Sequence, residues 1–312
     1  MNKYIIVGLL AIVSMSFMSC SDDEEILVPT QGYIDNKFRV PDDATGPEAE
    51  IRRAFYNITG CNLLFNDLLS HEYKGKDANG DDVYVDEYID FEYNLVGIGG
   101  SSVNGPRFDY IEDIDVMRES ANLIESYIYP HIEGGSLMPF SIMPTLGIYL
   151  YDYNYDTWEY EYMPTSNLSC WRCLAIDVKE WLSLPDDEKN ACSLNILAEI
   201  ITKKLDYRAD EANDFSEISY DYNGEYLSDM DENWDRSDMS LVYECGFLSY
   251  VQSRYSSYSD YLPYSETDYN DYIKAAIIED EQDFRAKYAD YPIIISKYDM
   301  VRDILKSHGY KF

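Results

Sequence analysis

The chain has 312 residues, with 59 Asp and Glu against 24 Lys and Arg, and its formal net charge is -35. Hydrophobic residues make up 46% of it, enough for a sizeable core in one large domain or two, which excludes disorder of the whole chain. The charge argues against a nucleic-acid partner and against adsorption to anionic lipid, because both need a basic surface.

The first residues have the pattern of an export signal. Lys3 precedes an apolar stretch, 4–13, that has signal length and is too short to cross a bilayer comfortably. The segment that ends in Cys20 resembles a bacterial lipobox, although Phe17 stands where an aliphatic residue is usual. We therefore predict a lipoprotein signal peptide over 1–19 and a membrane anchor through lipid on Cys20. A plain secretory signal with an incidental Cys20 is the alternative.

An acidic run, Ser-Asp-Asp-Glu-Glu over 21–25, follows the cysteine. It is similar to the signal that sends Bacteroidetes lipoproteins to the outer face of the outer membrane, and it also suits a solvated, flexible leash. We predict that 20–43 is a lipidated, acidic tether. The folded part is then 44–312, with a candidate subdomain break near 208–236.

The remaining pattern predicts an α+β fold without internal repeats. Helices are expected over 48–58 and 108–129, with Pro130 ending the second, and a strand-like segment over 84–93. Strands are expected over 142–151, 158–162 and 171–178. A long helix is expected from Pro185 to about 207, and others over 238–255, 266–288 and 297–307. The spacing of Ser265 with Asp268 predicts a capping box at one of these helices.

Common catalytic motifs are missing from the sequence, which has no phosphate-binding loop, nucleophile elbow or kinase signature. Five cysteines remain besides Cys20, an odd number, so at least one stays free or pairs outside the chain. Cys170 and Cys173 form a CxxC, but no second CxxC follows and the chain has three histidines. Burial of this pair in an apolar strand is therefore favoured over a zinc or redox site.

Several short segments, in a fixed order, resemble the Bacteroidetes putative zinc-binding metallopeptidase-like lipoproteins, also described as substrate import-associated zinc metallohydrolases. These segments are Tyr93-Asn94-Leu95-Val96, the helix with Met117 to Tyr129, Cys173 to Val178, Leu194 to Leu205, Phe215 to Ser219, Gly246 to Ser249, Asp268 to Asp271, and Lys297 to Val301. The resemblance implies a zincin-like domain with a small mixed sheet packed on several helices. It also implies a TonB-dependent outer-membrane porin and its lipoprotein lid as partners.

In that family one helix carries His-Glu-x-x-His, because residues four apart share a face and two imidazoles then reach one Zn²⁺. The glutamate activates the metal-bound water. The corresponding residues here are Ala198, Glu199 and Thr202, so the glutamate is kept and both histidines are lost. The family's later acidic ligand falls on Asp271 or, with a register shift, on Asp268.

This loss predicts a pseudoenzyme without zinc or another cofactor. The expected role is a binding or accessory component of a TonB-dependent nutrient-uptake system, lipid-anchored and surface-exposed on the outer membrane. Two alternatives stay open. One is an active, peptidase-like hydrolase with a non-standard ligand set, and the other is a calcium site made by Glu199, Asp268 and Asp271.

Tyrosine accounts for 32 residues and concentrates in two places. Over 149–162, aromatic residues alternate with acidic or amide residues, which at the period of a strand predicts one aromatic and one polar face. Tyr250, Tyr255, Tyr258, Tyr261 and Tyr264 form a second cluster. Both clusters offer contact area for a peptide, a glycan or a partner protein. Packing between strands or at the rim of the core is the alternative for both.

Overall fold

A computed structural model of the chain describes residues 36–91, 105–133, 136–170, 172–252 and 260–312. The chain divides into two compact units, Met1–Lys37 and Phe38–Phe312. The predicted signal peptide, Cys20, the 93–96 segment, Tyr255 and Tyr258 all lie outside the described residues. The helices and strands given below belong to the second unit.

Helices and strands alternate irregularly along the chain, as the sequence pattern predicts. The strands are β1 (Asn62–Leu63), β2 (Leu68–Lys76), β3 (Asp82–Tyr88), β4 (Arg107–Asp109), β5 (Ser141–Thr145), β6 (Gly147–Asn154), β7 (Glu159–Pro164), β8 (Asn167–Ser169) and β9 (Leu174–Asp177). The α-helices are α1 (Pro47–Thr59), α2 (Ile114–Leu123), α3 (Tyr129–Ile132), α4 (Lys179–Ser183), α5 (Asp186–Lys204), α6 (Asn213–Ile218), α7 (Leu227–Met230), α8 (Ser240–Glu244), α9 (Ser265–Ile278), α10 (Glu281–Lys287) and α11 (Pro292–Ser307).

The strands form three small sheets. A four-stranded mixed sheet has the order β1-β5-β9-β8, in which β5 is parallel to β1 and β9, and β8 is antiparallel to β9. An antiparallel sheet has the order β4-β6-β7, and β2 pairs with β3 in a separate ribbon. A mixed α+β fold with small sheets and several helices is therefore confirmed.

The mixed sheet lies between two hydrophobic clusters, because its central strands are apolar on both faces. Ile142 and Ile176 belong to the larger cluster, which contains the buried faces of the long helices. Met143 and Ala175 face the other way, into a second cluster that includes Ile148 of the three-stranded sheet. A third, smaller cluster gathers Leu227, Val242, Cys245, Phe247 and Leu262.

The helix predicted over 108–129 is wrong at both ends. Residues 107–109 form β4 against β6, and α2 begins later, where the Asp113 carboxylate accepts hydrogen bonds from the amides of Asp115 and Val116. At the far end the chain passes through a π-helical turn, Ile124–Ile128, into α3. Pro130 lies in the first turn of α3, where a missing N–H breaks no hydrogen bond.

Other boundaries also differ from the predicted ones. The helix expected over 238–255 is only α8, and the one expected over 266–288 is divided into α9 and α10 by the N-cap residue Asp280. The capping box at Ser265 is wrong, because Tyr264 is the N-cap residue and Asp268 points into the interior. Among the described residues, no helix is both long and apolar enough to cross a membrane.

Candidate functional site

Glu199 lies on α5, half-buried, with its carboxylate directed at β8. Its Oε2 accepts a hydrogen bond from Ser166 Oγ at 2.6 Å and another from the side-chain amide of Asn167. Asn167 is 2% exposed, and its Oδ1 in turn accepts from Lys203 Nζ. The carboxylate therefore joins the long helix to the edge strand of the mixed sheet, as part of a polar network that it shares with Lys203.

The two positions that the resemblance assigns to zinc-binding histidines are Ala198 and Thr202, and both have other contacts. Ala198 is 1% exposed and belongs to the main hydrophobic cluster. Thr202 is partly buried, and its hydroxyl donates to the carbonyl of Glu199 at 3.0 Å. A methyl group offers no lone pair to a metal, and this hydroxyl is already used within its own helix.

Asp268, on α9, forms a buried ion pair with Lys297 on α11. The distance from Lys297 Nζ to Asp268 Oδ2 is 2.5 Å, and the side chains are 0% and 3% exposed. Lys297 also donates to the carbonyl of Gly246 at 2.9 Å and to Ser219 Oγ at 3.1 Å, so its three N–H groups all have partners.

Three aromatic rings surround the ammonium group of Lys297. The ring centroids of Phe215, Phe247 and Tyr272 lie 4.5, 4.9 and 4.9 Å from Nζ. Burial lowers the pKa of Lys297, an effect that the charge of Asp268 opposes. Burial raises the pKa of Asp268 to about 6 despite the nearby Lys297. Asp268 Oδ1 is buried and has no hydrogen-bond partner among the described residues.

We call the ion pair of Asp268 and Lys297, with the groups around it, the Lys297 site. Four of the segments on which the family resemblance depends meet there. Phe215 and Ser219 come from the first, Gly246 and Phe247 from the second, and Asp268 and Lys297 from the last two. Sequence reasoning missed the role of Lys297, although its segment was among those compared. The sequence did contain a signal for this role, because Lys297 lies among the apolar residues on the buried side of its helix.

The residues that the resemblance assigns to a metal site do not fit a zinc ion. Ala198 has no donor atom, Glu199 is hydrogen-bonded to β8, and Asp268 is neutralised by Lys297. Asp271, the other candidate ligand, is half-buried and accepts from Ser249 Oγ at 2.5 Å. Within the described ranges, no group of three or more His, Cys, Asp or Glu side chains is arranged to hold a metal ion.

Surface pockets also lie away from these residues. One is lined by residues that include Phe38, Arg52 and Tyr56, and another lies between α1 and α2. Neither is lined by Glu199 or Asp268.

The second tyrosine cluster is partly described. The ring centroids of Tyr261 and Tyr264 are 6.2 Å apart, and Tyr226, which the sequence did not single out, lies 6.1 Å from Tyr261. Tyr264 is 62% exposed and packs closely on Gly224, where φ is +74° and an added Cβ would lie 2.6 Å from the ring. The structure therefore brings Tyr261 and Tyr264 together at the surface.

The first cluster has the predicted alternation. Cross-strand partners in β6 and β7 pair Tyr151 with Tyr162 and Tyr153 with Tyr160, whereas Asp152 pairs with Glu161 on the other side. Directly opposed residues share a face, so the sheet has a tyrosine face. We define it as the side chains of Tyr149, Tyr151, Tyr153, Tyr160 and Tyr162. Its rings form a continuous series, with centroid separations of 5.1 to 5.9 Å between neighbours from Tyr162 to Tyr153.

The loop between β6 and β7 carries two further aromatic residues. Tyr155 is 71% exposed and contacts Tyr153 edge-on, and Trp158 is 74% exposed. Trp158 has φ of +61°, the only non-glycine residue in the described chain with a positive φ. This left-handed conformation normally selects Gly, Asn or Asp, so neither burial nor turn geometry accounts for a tryptophan here.

The five cysteines other than Cys20 are all described, and none of them forms a disulfide in that part of the chain. Cys61, Cys173 and Cys245 are buried, whereas Cys170 and Cys192 are partly exposed. Burial raises the pKa of Cys61 to about 12 and that of Cys245 to about 11, and it also raises the pKa of Cys173.

Comparisons of the chain with protein-family models, with curated proteins and with solved structures find no match. The family resemblance and the zincin-like scaffold therefore stay predictions.

Proposed function

We propose that this chain is a non-catalytic binding or accessory lipoprotein on a zincin-like scaffold. It is anchored to the outer membrane through lipid on Cys20, exposed at the cell surface, and works with a TonB-dependent porin and its lipoprotein lid in nutrient uptake. The family resemblance and the lipobox-like segment support the setting. The geometry around α5 supports the loss of catalysis.

One observation carries the non-catalytic role. Ala198 is packed in the hydrophobic core at a position where the family would place a zinc-binding imidazole. Without the ion, Glu199 has no acidified water to deprotonate, since it is a metal that lowers the pKa of its bound water to about 7. Its carboxylate instead receives hydrogen bonds from Ser166 and Asn167.

Elemental analysis tests this role directly. The purified protein is dialysed against zinc and then against metal-free buffer, and we expect far less than one equivalent of zinc to remain. Hydrolysis of a broad peptide library should match that of the Glu199→Gln variant, because both lack an activated water. One tightly held equivalent of zinc, or a rate that falls in Glu199→Gln, would show an active metal site and overturn the proposal.

The anchor is tested separately. Expressed with its own signal in a bacterium that processes lipoproteins, the chain should partition into the detergent phase of a phase-separating detergent. The Cys20→Ser variant should appear in the aqueous phase, because lipidation needs the thiol and acyl chains contribute roughly 0.8 kcal/mol for each buried methylene. Equal partitioning of the two proteins would rule out the lipid anchor.

A further inference from the structure

The tyrosine face points away from the core. On the opposite side of the same strands, Ile148 is buried in the second hydrophobic cluster, and Phe108 and Leu150 pack against it. Because successive residues alternate between faces, the tyrosines project outward from this part of the sheet. Tyr160 is 62% exposed, and the loop residue Tyr155, whose ring contacts Tyr153 edge-on, extends the aromatic surface beyond the strands.

An arginine of the chain itself already occupies one end of this surface. The guanidinium carbon of Arg107, on β4, lies 3.7 Å from the ring centroid of Tyr162. Stacking of a planar guanidinium on an aromatic ring is favourable, by dispersion and by attraction to the negative face of the ring. One ring of the tyrosine face is therefore stacked on a guanidinium group.

The electrostatic environment favours the same group. Residues 147–164 contain four carboxylates and no Lys or Arg. Asp152 lies directly opposite Glu161 on the reverse of the ribbon, a like-charge pair that adds to the negative potential around these strands. At the base of the tyrosine face, the hydroxyl of Tyr149 donates to Asp109 at 3.0 Å, and Asp177 lies close enough to interact electrostatically with that hydroxyl.

We propose that the tyrosine face binds cationic peptide segments, with arginine side chains stacked on Tyr153, Tyr160 and Trp158. The inference rests on the binding role proposed above and names its ligand class. The net charge of -35 repels anionic ligands and concentrates cationic ones near the surface. The proposal also gives a function to the strained, exposed Trp158, whose ring would stack on an arginine side chain of the peptide.

Isothermal titration calorimetry in 150 mM salt tests the proposal with three probes: capped hexa-arginine, capped hexalysine and neutral maltohexaose. We expect hexa-arginine to bind at least about fivefold tighter than hexalysine, because an ammonium group cannot stack as a planar guanidinium does. In Tyr153→Ala/Tyr160→Ala the affinity for hexa-arginine should fall about tenfold, and the preference for arginine should disappear.

A matched control removes two tyrosines from the separate β2–β3 ribbon, where Tyr73 and Tyr84 are 53% and 48% exposed. Tyr73→Ala/Tyr84→Ala should keep both the affinity and the preference within about twofold. The variant Tyr153→Phe/Tyr160→Phe preserves the rings and should retain binding, which separates loss of the face from loss of folding.

An equal loss of hexa-arginine affinity in Tyr153→Ala/Tyr160→Ala and in Tyr73→Ala/Tyr84→Ala would show non-specific attraction to an acidic protein and would overturn the proposal. Equal binding of hexa-arginine and hexalysine would overturn it as well. Binding of maltohexaose without binding of either peptide would identify a glycan surface instead. Zinc content measured on the same preparation tests the non-catalytic role independently, so the two proposals can fail separately.

Discussion

Trp158 combines high exposure with a left-handed backbone, and these two properties predict opposite effects of one substitution. A left-handed non-glycine residue costs roughly 1–2 kcal/mol relative to glycine. We therefore expect Trp158→Gly to raise the free energy of unfolding by about 1 kcal/mol and to weaken hexa-arginine binding severalfold. Urea denaturation and calorimetry measure the two effects.

Trp158→Ala is the control, because it removes the ring and keeps the strain. It should weaken binding without the gain in stability. If Trp158→Gly destabilises the protein, the ring makes contacts that matter more to folding than its conformation costs.

The Asp268 carboxyl gives the Lys297 site a defined pH dependence. Its pKa is raised to about 6 in the folded protein, whereas an unfolded Asp titrates near 3.9. Between these values the folded state binds the extra proton, so the contribution of Asp268 to stability is full below about pH 4 and is lost as the pH rises through 6.

Comparison with Asp268→Asn isolates this contribution. The wild-type free energy of unfolding minus that of the variant should fall by about 1 kcal/mol between pH 5 and pH 7. Urea titrations at pH 5, 6 and 7 measure it. A difference that instead grows with pH would mean that Lys297 holds the carboxyl ionised, with its pKa below the unfolded value.

At the scale of elements, Glu199 connects α5 to β8. Substitution of Glu199 therefore shows whether its carboxylate has a structural role or a catalytic one. Glu199→Ala removes the charged acceptor of the buried Asn167 amide, which then keeps only Ser166 Oγ at 3.1 Å, and this should cost about 1–3 kcal/mol of stability. Glu188→Ala, at an exposed position on the same helix, should cost less than about 1 kcal/mol. A stability unchanged in Glu199→Ala would contradict the structural role and reopen a functional one.

The sequence predicted the elements that are governed by periodic burial and by proline. The long helix after Pro185 and the two faces of the β6–β7 sheet follow from the spacing of apolar and aromatic residues. The prediction of a helix over 108–129 was wrong at its start because Phe108 and Asp109 pair with β6, and residue spacing alone does not separate a short strand from a helix. Pro130 was expected to end this helix, but it lies in the first turn of α3, where a proline is tolerated.

The candidate site was less predictable for a different reason. The interpretation of Ala198 and Thr202 as lost metal positions depends on the family resemblance and stays a prediction. The sequence could not show that Asp268 is paired with a lysine 29 positions away, because such a contact depends on how α9 and α11 pack. The strain at Trp158 likewise depends on backbone geometry that local pattern does not specify.

For the whole molecule, the excess of 35 negative charges should make stability depend on salt. Self-repulsion opposes the compact state, and added salt screens it over a length of about 10 Å at 0.1 M. We expect the melting temperature to rise by about 2–5 °C between 10 and 300 mM NaCl.

Magnesium and calcium chloride at matched ionic strength provide the control for a specific calcium site. Both salts should raise the melting temperature by similar amounts. A larger rise with calcium, reversed by a chelator, would support a calcium site made by Glu199, Asp268 and Asp271. The hydrogen bonds and the ion pair that these three carboxylates already make disfavour such a site.

The three buried cysteines lie in different hydrophobic clusters: Cys61 in the largest, Cys173 in the second and Cys245 in the third. Alkylating reagents attack the thiolate, which is scarce at neutral pH and sterically inaccessible while a cluster stays closed. The rate at which each of these cysteines is alkylated in the native protein therefore reports how often its own hydrophobic cluster opens. Mass spectrometry of the alkylated peptides would show whether the three clusters open together or one at a time.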